Sequence, residues 1–239
     1  MATTHVNVLG ARKTSAQTDP LIVGGWLSLV GAIAVVATSA FYVASPSAAA
    51  GPVRPFDLAA AAAGAASGAA TLHAAGTVGV FGDLVWAVAT LLIAQELGRR
   101  GRGVAAAGWL GLFLSIVIFI FVDGMTGFVF PPLAAHGNLT AFEGFRRLWD
   151  VLFQLGVIAY GAGVATAFGA ERTAPRPMVG RNLSLAIVVV GVVGVVGALA
   201  GLADVAAVPT DKIAGASIGL GSLLLAAASW QIVRSERPV

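Results

Sequence analysis

Long apolar blocks alternate with short polar connectors along this chain. A helix rises about 1.5 Å per residue, so roughly 20 apolar residues cross a bilayer's hydrocarbon core of about 30 Å. Six blocks reach that length: 21–44, 77–97, 104–125, 145–168, 183–202 and 213–233. They predict an all-α fold, a polytopic transmembrane bundle forming a single domain over 21–233. Residues 1–20 read as a polar N-terminal tail and 234–239 as a C-terminal tail. The first block is too long for a signal-peptide core, and no convincing cleavage site follows it.

The connectors carry helix breakers. Ser45, Pro46, Ser47, Gly51 and Pro52 end the first block, because proline removes a backbone donor and glycine relaxes the chain. The segment 45–76 is expected on the outer side. Its stretch 57–73 is rich in Ala and Gly, which drive insertion weakly compared with Leu, Ile, Val and Phe. A surface or re-entrant helix is expected there, with a seventh span as the alternative. Residues 128–143, containing Pro131 and Pro132, read as a loop.

Composition supports the membrane reading. The chain has 239 residues, 58% hydrophobic and only 10% charged, with mean hydropathy +0.90. Soluble domains carry about 25% charged residues. Cysteine is absent, which excludes thiol catalysis, disulfides and Cys-ligated metals. The 31 glycines point to close helix contact, since small side chains let backbones approach in lipid. The net charge of +3 does not signal nucleic acid, because the basic residues sit at block ends, where they orient helices.

Those basic residues set a sidedness. With both termini cytoplasmic, the inner flanks hold Arg12, Lys13, Arg99, Arg100, Arg102, Arg172, Arg176, Arg181, Arg234 and Arg237; the outer side holds Arg54, Arg146, Arg147 and Lys212. A seventh span would move Arg99, Arg100 and Arg102 outside, against the positive-inside rule.

Several stretches carry a resemblance. They are the first span, opening Leu21 to Trp26 with Gly24 and Gly25; the long outer segment after it; the basic turn Arg99 to Arg102; and Leu155 to Gly161, ahead of a Pro/Arg loop from Ala174 to Pro177. In these the chain resembles an uncharacterised family of bacterial six-helix integral membrane proteins, a domain of unknown function. The resemblance implies a multi-pass protein of the bacterial cytoplasmic (inner) membrane. It implies no activity and no catalytic residues.

Ionisable residues inside spans are costly and so are site candidates by default. On this topology His73, Asp83, Asp123, His136, Arg146, Arg147, Asp150 and Gln154 all belong to the outer half. Asp83 is the sharpest candidate. It lies about 9 Å into the second span, with no basic residue within a helical turn. Such a carboxylate is expected to be protonated, paired across helices, for instance with Arg146 or Arg147, or exposed to a water-filled cavity. Asp123 reads as a helix-end residue before Gly124, or as a group turned into the bundle by the small-residue face of Gly108, Gly111 and Ser115. Arg146, Asp150 and Gln154, four apart, form one helix stripe. They read as an ion pair within the helix, or as a mouth where arginines capture a phosphate or carboxylate. His73 and His136 are weak metal or haem candidates, since two loop histidines lack a ligating spacing. No metal site and no cofactor is therefore expected. Trp86, one turn from Asp83, reads as core or as pocket lining.

No motif names a reaction. There is no phosphate-binding loop and no nucleophile elbow. The leading expectation is binding or movement of a lipid or small amphiphile at an outward-facing polar pocket. Asp83, Asp123 and Asp150 would line it, with Arg146, Arg147 and Gln154 beside them. The alternatives are a membrane enzyme using an Asp acid/base on a lipophilic substrate, and an accessory subunit packed against a membrane partner or a second copy.

Overall fold

The computed structural model describes residues 19–44, 57–203 and 210–236. The expected N-terminal tail up to residue 18, the first part of the outer segment (45–56) and the last three residues lie outside that set. Among the described residues the chain is helical, with no strands. Its elements are α1 (Pro20–Ala44), α2 (Leu58–Ser67), α3 (Ala69–Arg99), α4 (Gly103–Gly124), a π-helical turn (Met125–Val129), α5 (Phe130–Ala135), α6 (Leu139–Thr173), α7 (Arg181–Leu202) and α8 (Thr210–Ser235). Six of the described helical stretches are long and apolar enough to cross a bilayer, with α4, the π turn and α5 counting as one. At ten residues, α2 spans only about 15 Å. It is too short to be a seventh span.

The six long helices form a ring. Each packs on the next in chain order, and α8 closes the ring against α1. Lipid offers no hydrophobic drive between helices, so small residues and polar links hold such contacts. The face of Gly108, Gly111 and Ser115 lies on α6, against Ala167 and Gly163, and Ser115 Oγ donates to the Gly156 carbonyl at 2.8 Å. On α7, Gly191 meets Gly161 and Val164 of α6, while Gly194 and Gly197 meet Ser217 and Ile213 of α8. Ser28 of α1 and Ser229 of α8 are 2.9 Å apart, and Trp86 Nε1 of α3 donates to Ser28 Oγ at 3.1 Å.

One end of the ring is basic. Arg100 pairs with Asp19 before α1 at 2.7 Å, with Glu96 on α3 at 3.0 Å and with Glu236 after α8 at 2.9 Å. Those contacts place the start of α1 and the end of α8 on the same end. Arg102 pairs with the buried Glu171, whose other oxygen accepts from Met178 N at 3.0 Å. The turn between α3 and α4 passes through Gly101 at φ 73°, a left-handed conformation that only glycine adopts without strain.

The opposite end differs from expectation in two places. Helix α3 begins at Ala69 rather than at 77, so His73 is a helical residue. Residues 128–143 are not a continuous loop. The α4 helix passes through the π turn into α5, and α6 begins at Leu139 behind the Asn138 cap, whose Oδ1 accepts from Ala141 N at 3.2 Å. Pro131 and Pro132 do not break the helix because they occupy its first turn, where backbone donors have no intrahelical partner to lose. A turn with Gly137 at φ 67° then reverses the chain. Helix α2 lies over this end in a small second core with Leu72, Phe130, Phe142 and Trp149.

Candidate functional site

Between the polar links at Ser28 and the opposite end, α1 and α8 part. The space between them is a cavity of about 570 Å³. Helix α1 contributes Val35, Thr38, Ser39, Tyr42 and Val43; α3 contributes Asp83 and Trp86; α4 contributes Ile116, Phe119, Val122 and Asp123; α6 contributes Trp149, Phe153 and Tyr160; and α8 contributes Lys212, Gly215, Ala216, Ile218 and Gly219. Among the described residues the α1 and α8 rim is open. Val43 is 89% exposed, and Lys212, Gly215 and Ala216 are exposed. A Cβ added at Gly215 or Gly219 would meet nothing within 4 Å.

Two carboxyl groups lie inside. Asp83 is 2% exposed, and its Oδ2 has no hydrogen-bond partner among the described residues. It stands near the middle of α3, fourteen positions after Ala69, deeper than the roughly 9 Å that the shorter expected span gave it. Asp123 is also buried. It accepts a hydrogen bond from the Tyr42 hydroxyl and reaches across to α3, where Gly79 leaves room for its carboxyl. Gly79 is one helical turn from Asp83, so the Asp123 carboxyl lies against the same stretch of α3 that carries Asp83. The site therefore depends on a missing side chain. Any Cβ at position 79 would collide with Asp123.

A second set of bonds fixes the wall beside Asp123. Trp149 Nε1 donates to Thr126 Oγ1 at 2.9 Å and to the Val122 carbonyl at 3.1 Å, and Thr126 Oγ1 donates to the same carbonyl at 2.8 Å. Trp149 stacks on Phe153 with ring centroids 5.1 Å apart. Phe119 packs edge-on against Phe153 at 6.1 Å and covers Gly156. The bulky residue in the α4 stripe thus fills the wall of the cavity. Trp86 serves as both core and lining: it packs over Gly31 and faces Tyr160 at 6.5 Å.

The other candidates lie elsewhere. Arg146, 1% exposed, pairs with Asp150 at 3.0 Å and lies 4.4 Å from the Trp149 ring centre, behind the cavity wall. Gln154 is buried against Gly201 of α7. Arg147 points to the outer surface of α6 and pairs with Glu143 at 2.7 Å. None of Arg146, Arg147, Asp150 and Gln154 lines the cavity, and among the described residues no ion pair joins Asp83 to either arginine. His73 and His136 are both exposed. The His73 ring stacks edge-on against Phe128 at 5.0 Å, and His136 Nδ1 lies 2.7 Å from the Pro132 carbonyl. Tyr42 and Lys212, which no sequence motif marks, also line the cavity. The one available signal was tyrosine's scarcity, with two in the chain, both of them cavity residues.

Comparison with protein-family models, with curated proteins and with solved structures returns no match to this chain.

Proposed function

We propose that this multi-pass protein binds or moves a lipid or small amphiphile in the cavity between α1 and α8. One observation carries the reading: a cavity of about 570 Å³ with apolar and aromatic walls and two buried carboxyls, open where α1 and α8 diverge. Ligand sites are typically concave and mostly apolar, with a few placed polar groups. The opening lies on the flank of a bundle long enough to span a bilayer, so an amphiphile could enter from the membrane with its polar group leading. The basic end facing the cytoplasm of a bacterial cell, as the positive-inside rule favours, belongs to the same proposal.

Gly219→Phe tests it. Position 219 has open space before it, so the ring would occupy the cavity without displacing a helix. Native mass spectrometry of the purified protein should show an amphiphile retained through detergent exchange by the parent chain and lost by the variant. Equal retention by both, or retention by neither, would overturn the proposal.

A second reading draws on the Tyr42–Asp123 hydrogen bond beside Asp83. An acid/base reaction needs two cooperating groups at one reacting atom, and the reading is supported by Asp83 and Asp123 both lining this cavity. If Asp83→Asn and Asp123→Asn each retain full binding but abolish turnover of a bound lipid, the enzyme reading replaces simple binding.

A further inference from the structure

We propose that the ligand of this cavity is a lipophilic cation, an ammonium group on an apolar body, with its charge held by Asp83. The inference rests on the cavity being the ligand site and names the chemistry it selects. Asp83 sits mid-helix at 2% exposure with Oδ2 unpartnered. A carboxylate in such a wall is costly unless a positive group or a proton neutralises it. Asp123 already has the Tyr42 hydroxyl on one oxygen, so the cavity holds two acidic groups of unequal satisfaction, and Asp83 is the one still in need of a donor.

The rest of the lining fits the same ligand. Trp86, Tyr160 and Phe119 line the same cavity as the carboxyls, and aromatic rings attract ammonium groups through their negative faces. The lining's basic side chain, Lys212, is exposed in the first turn of α8, about 10 Å along the helix from Gly219. Among the described lining residues the lysine stands at the rim and the two carboxyl groups lie in the depth. An anion driven to the depth would meet two carboxyl groups, whereas a cation would meet a counter-charge and π faces. The ammonium could come from the headgroup of a membrane phospholipid or from a free lipophilic amine.

The test uses the purified full-length chain in neutral detergent, with calorimetric titrations corrected for empty micelles. The probes are tetraphenylphosphonium and tetraphenylborate, which share a shape and carry opposite charge. Saturable phosphonium binding is expected at one per chain, roughly tenfold or more tighter than borate, and weakened at least as much by Asp83→Asn. Arg147→Gln, on the outer surface, should leave it unchanged. Competition by a dihexanoyl phosphatidylethanolamine would identify a lipid headgroup as the source; competition by octylamine alone would identify a free amine. Borate binding as tightly as phosphonium, or Asp83→Asn with undiminished affinity, would overturn the inference. Retention of a neutral amphiphile that Gly219→Phe abolishes would still leave the cavity reading standing in that case. If neither ion binds saturably the inference falls, and the cavity reading falls with it only when no amphiphile is retained either. If Asp83→Asn does not fold, the charge comparison on the parent chain decides alone.

Discussion

At the scale of single residues, the site turns on what stands opposite Asp123. Its carboxyl occupies the volume that a side chain at Gly79 would need, and the Tyr42 hydroxyl holds it there. Gly79→Ala should therefore push Asp123 off Tyr42 and cost about 1–3 kcal/mol, the usual range for overpacking. Unfolding in mixed micelles would measure it, and an unchanged midpoint would show that the carboxyl relocates freely. The Tyr42–Asp123 bond is open to a double-mutant cycle with Tyr42→Phe and Asp123→Asn. Interhelical hydrogen bonds in membranes are modest, so the coupling should be about 1 kcal/mol. A coupling near zero would mean that the bond contributes nothing to the fold and that Asp123 is placed by packing alone.

At the scale of elements, the cavity exists because α1 and α8 are tied at one half and apart at the other. The Ser28–Ser229 contact and the Trp86 indole bond close the basic half, while Gly215 and Gly219 face open space in the other. The α4–α5 connection serves the same end of the molecule. Its π turn brings Gly127 against Gly76 of α3, where an added Cβ would stand 2.7 Å from Gly76 Cα. Gly127→Val must prise the turn from α3 and should destabilise the protein by about 1–3 kcal/mol, read as a lower thermal midpoint. Because Asp123 lies just before this turn, the same variant should loosen the cavity wall. A variant as stable as the parent would show that the close approach is not needed.

At the scale of the whole molecule, a ring of six long helices brings its two ends together at Arg100. The absence of cysteine makes its sidedness directly measurable. In intact cells a membrane-impermeant maleimide should label His136→Cys and spare Arg172→Cys until the membrane is opened. Both positions are exposed, so the opposite pattern would invert the orientation proposed from the charge distribution.

Six apolar blocks of membrane-spanning length, the basic turn and the helix-packing glycines were all legible in the sequence. Each follows from local properties: block length against bilayer thickness, charge at block ends, small residues at helical spacing. The helicity of Pro131 and Pro132 was not legible, because proline breaks or begins a helix according to its place in the first turn, and the π turn that fixes that place is a tertiary contact. The acidic and basic candidates were visible as residues but not as a site. Spacing by four correctly placed Arg146 beside Asp150, because both lie on one helix. Whether Asp83 met Asp123, Arg146 or open space depended on how the ring closes. Sequence by itself determined which segments are long and apolar enough to cross a membrane and which polar groups are costly there. Only the tertiary structure decided that Asp83, Asp123, Tyr42 and Lys212 share one cavity, since their meeting depends on helices far apart in the chain and on the room left by Gly79 and Gly219.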